Sequence, residues 1–187
     1  MSAKMYGKLG TMEAGKSLEL LKTADTYERK GRKVSIIKPF TDTRDGSCIV
    51  KSRVGLEKAA VDFDSNDYRG IAQFIALEKP DIVLIDEAQF FSKKVIECLA
   101  RGVVDMLNIP VVCFGLKNNF KNELFEGSAA ILALADDVSE IKGICEYCER
   151  KAIMNLRTIN GKAVYTGDEI QIGDEEYKSV CRKHYYL

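Results

Sequence analysis

The sequence lacks several features that would assign it to other classes of protein. Its 187 residues include only three prolines, no tryptophan and a single histidine, and Lys plus Arg equal Asp plus Glu at 28 each. This even balance gives no electrostatic reason to expect a nucleic-acid polymer as the main partner. No apolar run approaches the roughly 20 residues that span a bilayer, and the first ten residues show no signal-peptide core. We therefore expect a cytoplasmic protein with no membrane partner.

The arrangement of apolar residues predicts an α/β fold. The first 142 residues alternate apolar runs with amphipathic stretches, which is typical of βαβ units around a parallel sheet with helices on both faces. The predicted elements are a strand over 5–9, a helix over 16–30, a strand over 34–37, a helix over 67–77, a strand over 82–85, a helix capped by Ser92 and a strand over 111–114. Short β-like runs with glycine turns follow from Cys145. We expect an α/β domain over 1–143 and a small β domain over 144–187.

A phosphate-binding motif follows the first predicted strand. The pattern G-x-x-x-x-G-K-[ST] is matched in full by Gly10-Thr11-Met12-Glu13-Ala14-Gly15-Lys16-Ser17. Glycines let the backbone N–H groups face the phosphates, and the following helix presents its positive N-terminus to them. We expect Lys16 to reach the β- and γ-phosphates of ATP and the Ser17 hydroxyl to bind Mg²⁺. A chance match would lack the strand before the motif and the amphipathic helix after it.

Two acids end the apolar run at 82–85. Asp86 is expected at the carboxyl end of a buried strand, where it can hold Mg²⁺. Glu87 is one residue further and can accept a proton from a hydroxyl or a water as general base. Without the phosphate motif, two acids that merely terminate a strand would be the better interpretation. Together the two motifs predict nucleotide hydrolysis or transfer, and they do not name the acceptor.

Three cysteines and the only histidine cluster late in the chain. Two C-x-x-[CH] pairs, 32 residues apart, supply Cys145, Cys148, Cys181 and His184. Four soft ligands of this kind close a tetrahedral Zn²⁺ site, which is then structural rather than catalytic. A redox C-x-x-C or free thiols are the alternatives, but neither needs the second pair at matched spacing. A ribbon of this size has little core and should depend on its metal for folding.

Further segments complete a family resemblance. They are Asp86-Glu87-Ala88-Gln89-Phe90-Phe91, then Gly115-Leu116 with Phe120 and Glu123-Leu124-Phe125-Glu126-Gly127-Ser128, then Tyr177 shortly before Cys181. With the phosphate motif and the cysteine–histidine pairs, the chain closely resembles the zinc-containing thymidine kinase family from about residue 4 to residue 186. The resemblance implies a RecA-like P-loop core, a zinc ribbon and a homotetramer. It implies transfer of the γ-phosphate of ATP to the 5′-hydroxyl of thymidine, and of deoxyuridine as well, in nucleotide salvage for DNA synthesis.

The resemblance also assigns site residues one by one. It makes Glu87 the catalytic base and Gln89 a residue of the same motif. A D-x-R element near the nucleotide matches Asp42, Thr43 and Arg44. The base pocket matches Met12, Phe90, Leu116, Phe120 and Phe125. A lasso loop that closes over the base matches Glu169, Ile170, Gln171, Ile172 and Gly173, with Tyr177 beyond it.

Departures and rival functions complete the interpretation. The usual G-L-R-T-D-F of the family is here Gly115-Leu116-Lys117-Asn118-Asn119-Phe120, the lasso glycine pair is reduced to Gly173-Asp174, and Leu18 replaces a Thr. The arginine that neutralises transition-state charge is left open between Arg44 and Arg53. One rival is a RecA-like or helicase-type ATPase with water as acceptor. A second rival is a non-enzymatic zinc-ribbon binding module.

Overall fold

The computed structural model describes residues 2–40, 48–167 and 175–186, so the site residues expected at 42–44 and 169–173 lie outside the described residues. The strands of the larger part are β1 (Met5–Gly10), β2 (Val34–Pro39), β3 (Ile49–Lys51), β4 (Glu57–Ala59), β5 (Val61–Phe63), β6 (Ile82–Ile85), β7 (Val111–Leu116) and β8 (Asp137–Ile141). Its helices are α1 (Lys16–Glu28), α2 (Tyr68–Glu78), α3 (Lys93–Glu97) and α4 (Glu126–Leu134). The small C-terminal part contains β9 (Gly143–Ile144), β10 (Lys151–Ala152), β11 (Met154–Ile159), β12 (Lys162–Val164), β13 (Glu175–Val180) and α5 (Arg182–Tyr185).

The larger part is built on a six-stranded sheet in the order β5-β2-β6-β7-β1-β8. Every neighbouring pair in it is parallel. Side chains of β6 alternate between two cores because successive residues of a strand point to opposite faces. Val83 and Ile85 pack with α2, α3 and α4, whereas Ile82 and Leu84 pack with α1. The predicted parallel sheet with helices on both faces is confirmed.

Helix α3 differs in one detail from the expectation at its start. Ser92 occupies the N-cap position, but its buried hydroxyl makes no hydrogen bond within the described part of the chain. A carboxylate from a neighbouring helix caps α3 instead, because Glu126 accepts from the N–H of Lys93 at 2.8 Å. The helix continues as a π-helical segment, Cys98–Met106, which buries Leu99 and Val103.

The C-terminal part is a small antiparallel ribbon. Strands β12, β11 and β13 form one sheet, and β9 pairs with β10. Its core contains two of the cysteines, Cys145 and Cys181, with Met154, Val180 and Tyr185. This is the architecture that the cysteine–histidine spacing predicted.

The sheet order decides which loops meet. Strand β7 lies between β1 and β6, and all three run in the same direction. The segments that follow their carboxyl ends therefore gather at one edge, where parallel α/β sheets bind ligands. In the described ranges, the helices are too short or too polar to cross a membrane.

Candidate functional site

The phosphate motif forms the tight loop that its sequence predicts. It leaves β1 at Gly10 and enters α1 at Lys16. Gly15 caps the helix in the left-handed region with φ of 89°, which favours glycine. Lys16 is 8% exposed, and its Nζ donates to the Thr11 carbonyl at 2.8 Å. The ammonium group is therefore held against the loop that would surround the phosphates.

The two acids follow β6 at the same edge of the sheet. Asp86 is 3% exposed, and its N–H donates to the Ile37 carbonyl at 2.8 Å. Glu87 has φ of 45° and ψ of 40°, a left-handed conformation that is uncommon for residues other than glycine. Backbone strain of this kind clusters at active sites, where the surroundings hold it in place.

Gln89 fixes the direction of the Glu87 carboxylate. Its Nε2 donates to Glu87 Oε2 at 2.5 Å, and its Oε1 accepts from the Leu116 N–H at 2.9 Å. The second bond orients the amide, since only the oxygen can accept from an N–H. A β-carbon at Gly115 would lie 2.6 Å from Gln89 Oε1, so this arrangement requires glycine there. Glu87 thus presents a hydrogen-bonded, acceptor-only carboxylate.

A cleft of about 500 Å³ joins these groups. The residues that line it include Lys16, Ser17, Glu87, Met12 and Leu116. The cleft is also lined by Lys51, Ser52, Arg53 and Val54 at the tip of the β3–β4 hairpin, an element that the sequence interpretation missed. Cationic Arg53 pairs with Glu13 of the phosphate loop at 2.6 Å. Of the two arginines left open by the sequence, Arg53 lines the cleft and Arg44 lies outside the described residues.

None of the expected base-pocket aromatics is among the residues that line this cleft. Phe90 and Phe125 meet edge to face with ring centroids 5.7 Å apart. Phe120 is 2% exposed and packs under the guanidinium of Arg157, 3.9 Å from the ring centroid. Their assignment to the base pocket stays a prediction.

Two of the residues that depart from the family pattern, Asn118 and Asn119, form a tight turn after β7. Asn119 Oδ1 accepts from the N–H groups of Lys121 and Glu123 at 2.9 and 3.0 Å. Asn118 Nδ2 donates to Asn122 Oδ1 at 3.0 Å. The paired asparagines therefore shape the loop after β7 through side-chain bonds to its own backbone.

The four predicted metal ligands come together in the ribbon. Their ligand atoms all lie within 4.8 Å of one another. Cys148 Sγ and Cys181 Sγ are 3.8 Å apart, and His184 Nδ1 is 3.4 and 3.5 Å from the sulfurs of Cys145 and Cys181. A tetrahedral Zn²⁺ with bonds of about 2.3 Å to sulfur and about 2.0 Å to nitrogen gives edges of about 3.8 and 3.5 Å. The backbone hydrogen bond from His184 also lowers the pKa of the Cys181 thiol, which favours a thiolate.

Tyr177 is the one described residue of the expected lasso region. It lies on β13 opposite Arg157 of β11. Asn155 of β11 and Ser179 of β13 are each two positions from that pair, and they form another register pair on the same face of the sheet. That face contacts the loops of the cleft, because Asn155 bonds both Met12 and Asn118.

Comparison with known proteins gives a consistent result. The family model described as thymidine kinase matches residues 3–185. The chain is 56% identical over 187 residues to the thymidine kinase of Streptococcus pyogenes serotype M28, covering 98% of this chain and 97% of that protein. It is 53% identical over 186 residues to the thymidine kinase of Streptococcus agalactiae serotype Ia, with the same coverage of 98% and 97%.

Proposed function

Since the chain belongs to the thymidine kinase family, we propose that it transfers the γ-phosphate of ATP to the 5′-hydroxyl of thymidine, giving dTMP and ADP. The observation that carries this proposal is the buried Glu87 carboxylate. Gln89 donates a hydrogen bond to this carboxylate, and Glu87 lines the same cleft as Met12, Lys16 and Ser17 of the phosphate motif.

The reaction needs a base, a phosphate cradle and charge neutralisation. Glu87 accepts the proton of the 5′-hydroxyl as that oxygen attacks phosphorus. Lys16 and the loop N–H groups stabilise the equatorial phosphate oxygens. Arg53 adds a cation at the same cleft once a nucleotide draws it from Glu13. We prefer Arg53 to Arg44 for this role because Arg53 lines the described cleft.

Mg²⁺ and Zn²⁺ each fit a set of ligands that the chain offers. The Ser17 hydroxyl and the Asp86 carboxylate are the hard oxygen ligands that Mg²⁺ prefers. Mg²⁺ held there would neutralise charge on the ATP phosphates. The cluster in the ribbon supplies four ligands to Zn²⁺, which leaves no open position for substrate and supports a structural role.

The nucleoside end of the site rests on the family resemblance. We assign the base to Met12 and Leu116, backed by the Phe90, Phe120 and Phe125 cluster and closed by the lasso with Tyr177. Deoxyuridine should also react, because loss of one methyl contact costs only about 1–3 kcal/mol. Assembly as a homotetramer and a place in cytoplasmic nucleotide salvage belong to the same proposal.

The test is ATP-dependent phosphorylation of a nucleoside panel by wild type, Glu87→Gln and Glu97→Gln. Both ADP and nucleoside monophosphate are measured. In Glu87→Gln, the amide oxygen can still accept from Gln89, so folding and nucleotide binding persist while turnover falls about 10²–10⁴-fold. Glu97, a carboxylate of α3 paired with Lys93, is the matched control and should change little.

Three results would contradict the proposal. Near-normal turnover in Glu87→Gln would contradict the assignment of Glu87 as the general base. ADP formation by wild type without any phosphorylated nucleoside would favour the ATPase. Failure of wild type to bind ATP with Mg²⁺ would favour the binding module.

A further inference from the structure

Both backbone groups of one phosphate-loop residue are held by the zinc ribbon. The Met12 N–H donates to Asn155 Oδ1 at 2.9 Å, and the Met12 carbonyl accepts a hydrogen bond from the Ser179 hydroxyl. The two ribbon side chains are only 2% and 5% exposed. A residue of the cleft wall is thus fixed by partners that are 143 and 167 positions away in the sequence.

The two partners act from one place on the ribbon. Asn155 of β11 and Ser179 of β13 are opposite each other in the antiparallel register. Side chains of opposite residues lie next to each other on the same face of a sheet. One pair of neighbouring side chains therefore holds the donor and the acceptor of a single residue.

Asn155 also contacts the loop that follows β7. Its Nδ2 donates to the Asn118 carbonyl at 2.9 Å. One amide group therefore connects the phosphate loop, the ribbon and the loop after β7. The ribbon makes two further contacts with that loop, since the Tyr185 hydroxyl donates to the Phe120 carbonyl at 2.5 Å and Arg157 covers the Phe120 ring.

We propose that Asn155 and Ser179 are positioning residues that set where Met12 lies in the cleft and thereby determine the affinity for the nucleoside. This rests on the proposed function, in which the Met12 side chain contacts the base. Neither Asn155 nor Ser179 lines the cleft, so both act through Met12, and Asn155 acts through Asn118 as well. Binding of ATP should depend on them much less, because the Met12 N–H points to Asn155 and the phosphates are left to Lys16, Ser17 and the other N–H groups of the loop.

The variants are Asn155→Ala, Ser179→Ala, the two combined, and Ser179→Thr, which keeps the hydroxyl. The control is Thr158→Val. Thr158 is a buried residue of the same strand, and its hydroxyl donates within the ribbon to the Glu176 carbonyl at 3.3 Å. The substitution Thr158→Val therefore removes a side-chain hydrogen bond of the ribbon, as the alanine variants do, but one that does not involve the phosphate loop.

For each variant we would measure the dissociation constant of thymidine by calorimetry, KM for thymidine and for ATP, zinc content and Tm. Each alanine variant should weaken thymidine binding about 10-fold or more, since a half-buried backbone group of Met12 loses its partner and the residue is no longer held in place. KM for ATP should stay within about 2-fold of wild type, and zinc content should be unchanged. The double variant should be little worse than the worse single variant, because both bonds act on Met12. Ser179→Thr and Thr158→Val should bind thymidine like wild type.

Different results overturn different claims. If wild type binds thymidine and both alanine variants bind it equally well, the positioning role fails and the proposed function stands. The role also fails if thymidine and ATP affinity fall together, or if Thr158→Val weakens thymidine binding as much as Asn155→Ala does. If wild type itself does not bind thymidine, both proposals fail.

Discussion

Replacing Gly127 with alanine puts a methyl group where α4 touches the segment that follows Glu87. The new β-carbon would lie 2.4 Å from the Ala88 carbonyl oxygen, 2.6 Å from that of Phe91 and 2.9 Å from that of Gln89. These are backbone atoms, so no side chain can turn away to make room. The helix and the segment must separate by about 1 Å to bring the closest pair to the 3.4 Å of an ordinary contact.

The displacement has two measurable consequences. Overpacking of this kind costs about 1–3 kcal/mol of unfolding free energy, and each kcal/mol lowers Tm by about 2–4 °C in a chain of this size. A shift of about 1 Å in a catalytic carboxylate can cost about 100-fold in rate. We therefore expect Gly127→Ala to unfold earlier in urea and to lose 10- to 100-fold, in order of magnitude, in kcat.

Gly102→Ala is the matched control. Gly102 lies in the helical segment Cys98–Met106, and the nearest atom to a β-carbon there is Cys98 Sγ at an ordinary 3.6 Å. Alanine should stabilise that segment by about 0.5–1 kcal/mol without changing kcat. All proteins are compared at one protein concentration. A Gly127→Ala protein as stable and as active as Gly102→Ala would refute the reasoning.

Three further predictions concern other contacts. Gly115→Ala should displace the Gln89 amide and leave the buried Leu116 N–H without its acceptor. We expect a lower kcat and a loss of about 1–3 kcal/mol in unfolding free energy. A crystal structure of the variant with both Gln89 hydrogen bonds intact would contradict this prediction. Cys148→Ser should lower zinc content, measured by atomic absorption, and lose cooperative unfolding of the ribbon, whereas Cys48→Ser, at an exposed site, should retain both. Burial raises the pKa of Cys113 to about 12, so iodoacetamide at pH 8 should modify Cys48 and spare Cys113 in the folded protein; mass spectrometry that finds Cys113 modified would contradict its burial.

The sequence predicted the elements whose residues are buried in a regular pattern. The strand at Ile82–Ile85 was predicted with its observed bounds because a run of four apolar residues is too short for a helix and ends sharply at two acids. Helix α4 was not predicted. Its residues, EGSAAILAL, lack a polar face at helical spacing, so no periodic pattern indicated a helix. Packing of Gly127 against the segment that follows Glu87 stabilises the helix instead. The short β3–β4 hairpin was also missed because its three-residue strands are mostly exposed.

The candidate site shows the same division between local pattern and long-range contact. Spacing alone predicted the four ligands that the fold gathers, because each C-x-x-[CH] pair is local. The phosphate loop and Asp86 were recognised for the same reason. Asn155 and Ser179 carry no local motif, and their role depends on a register between two strands and a contact with residue 12. The cap of α3 by Glu126 in place of Ser92 is another contact between distant segments.

The hold of the ribbon on Met12 has a consequence for the order of events during synthesis. Ribosomes add about 5–20 residues per second, so the 167 positions between Met12 and Ser179 correspond to about 8–30 s of translation. The sheet strands up to β8 are made before either ribbon partner of the phosphate loop, and Ser179 is made after Asn155. The phosphate loop gains both contacts only after the last ribbon strand is made and the ribbon has folded, a step for which we propose a zinc requirement. With the zinc site proposed above, a cell short of zinc should therefore accumulate completed chains with a formed sheet and a phosphate loop that lacks its ribbon contacts.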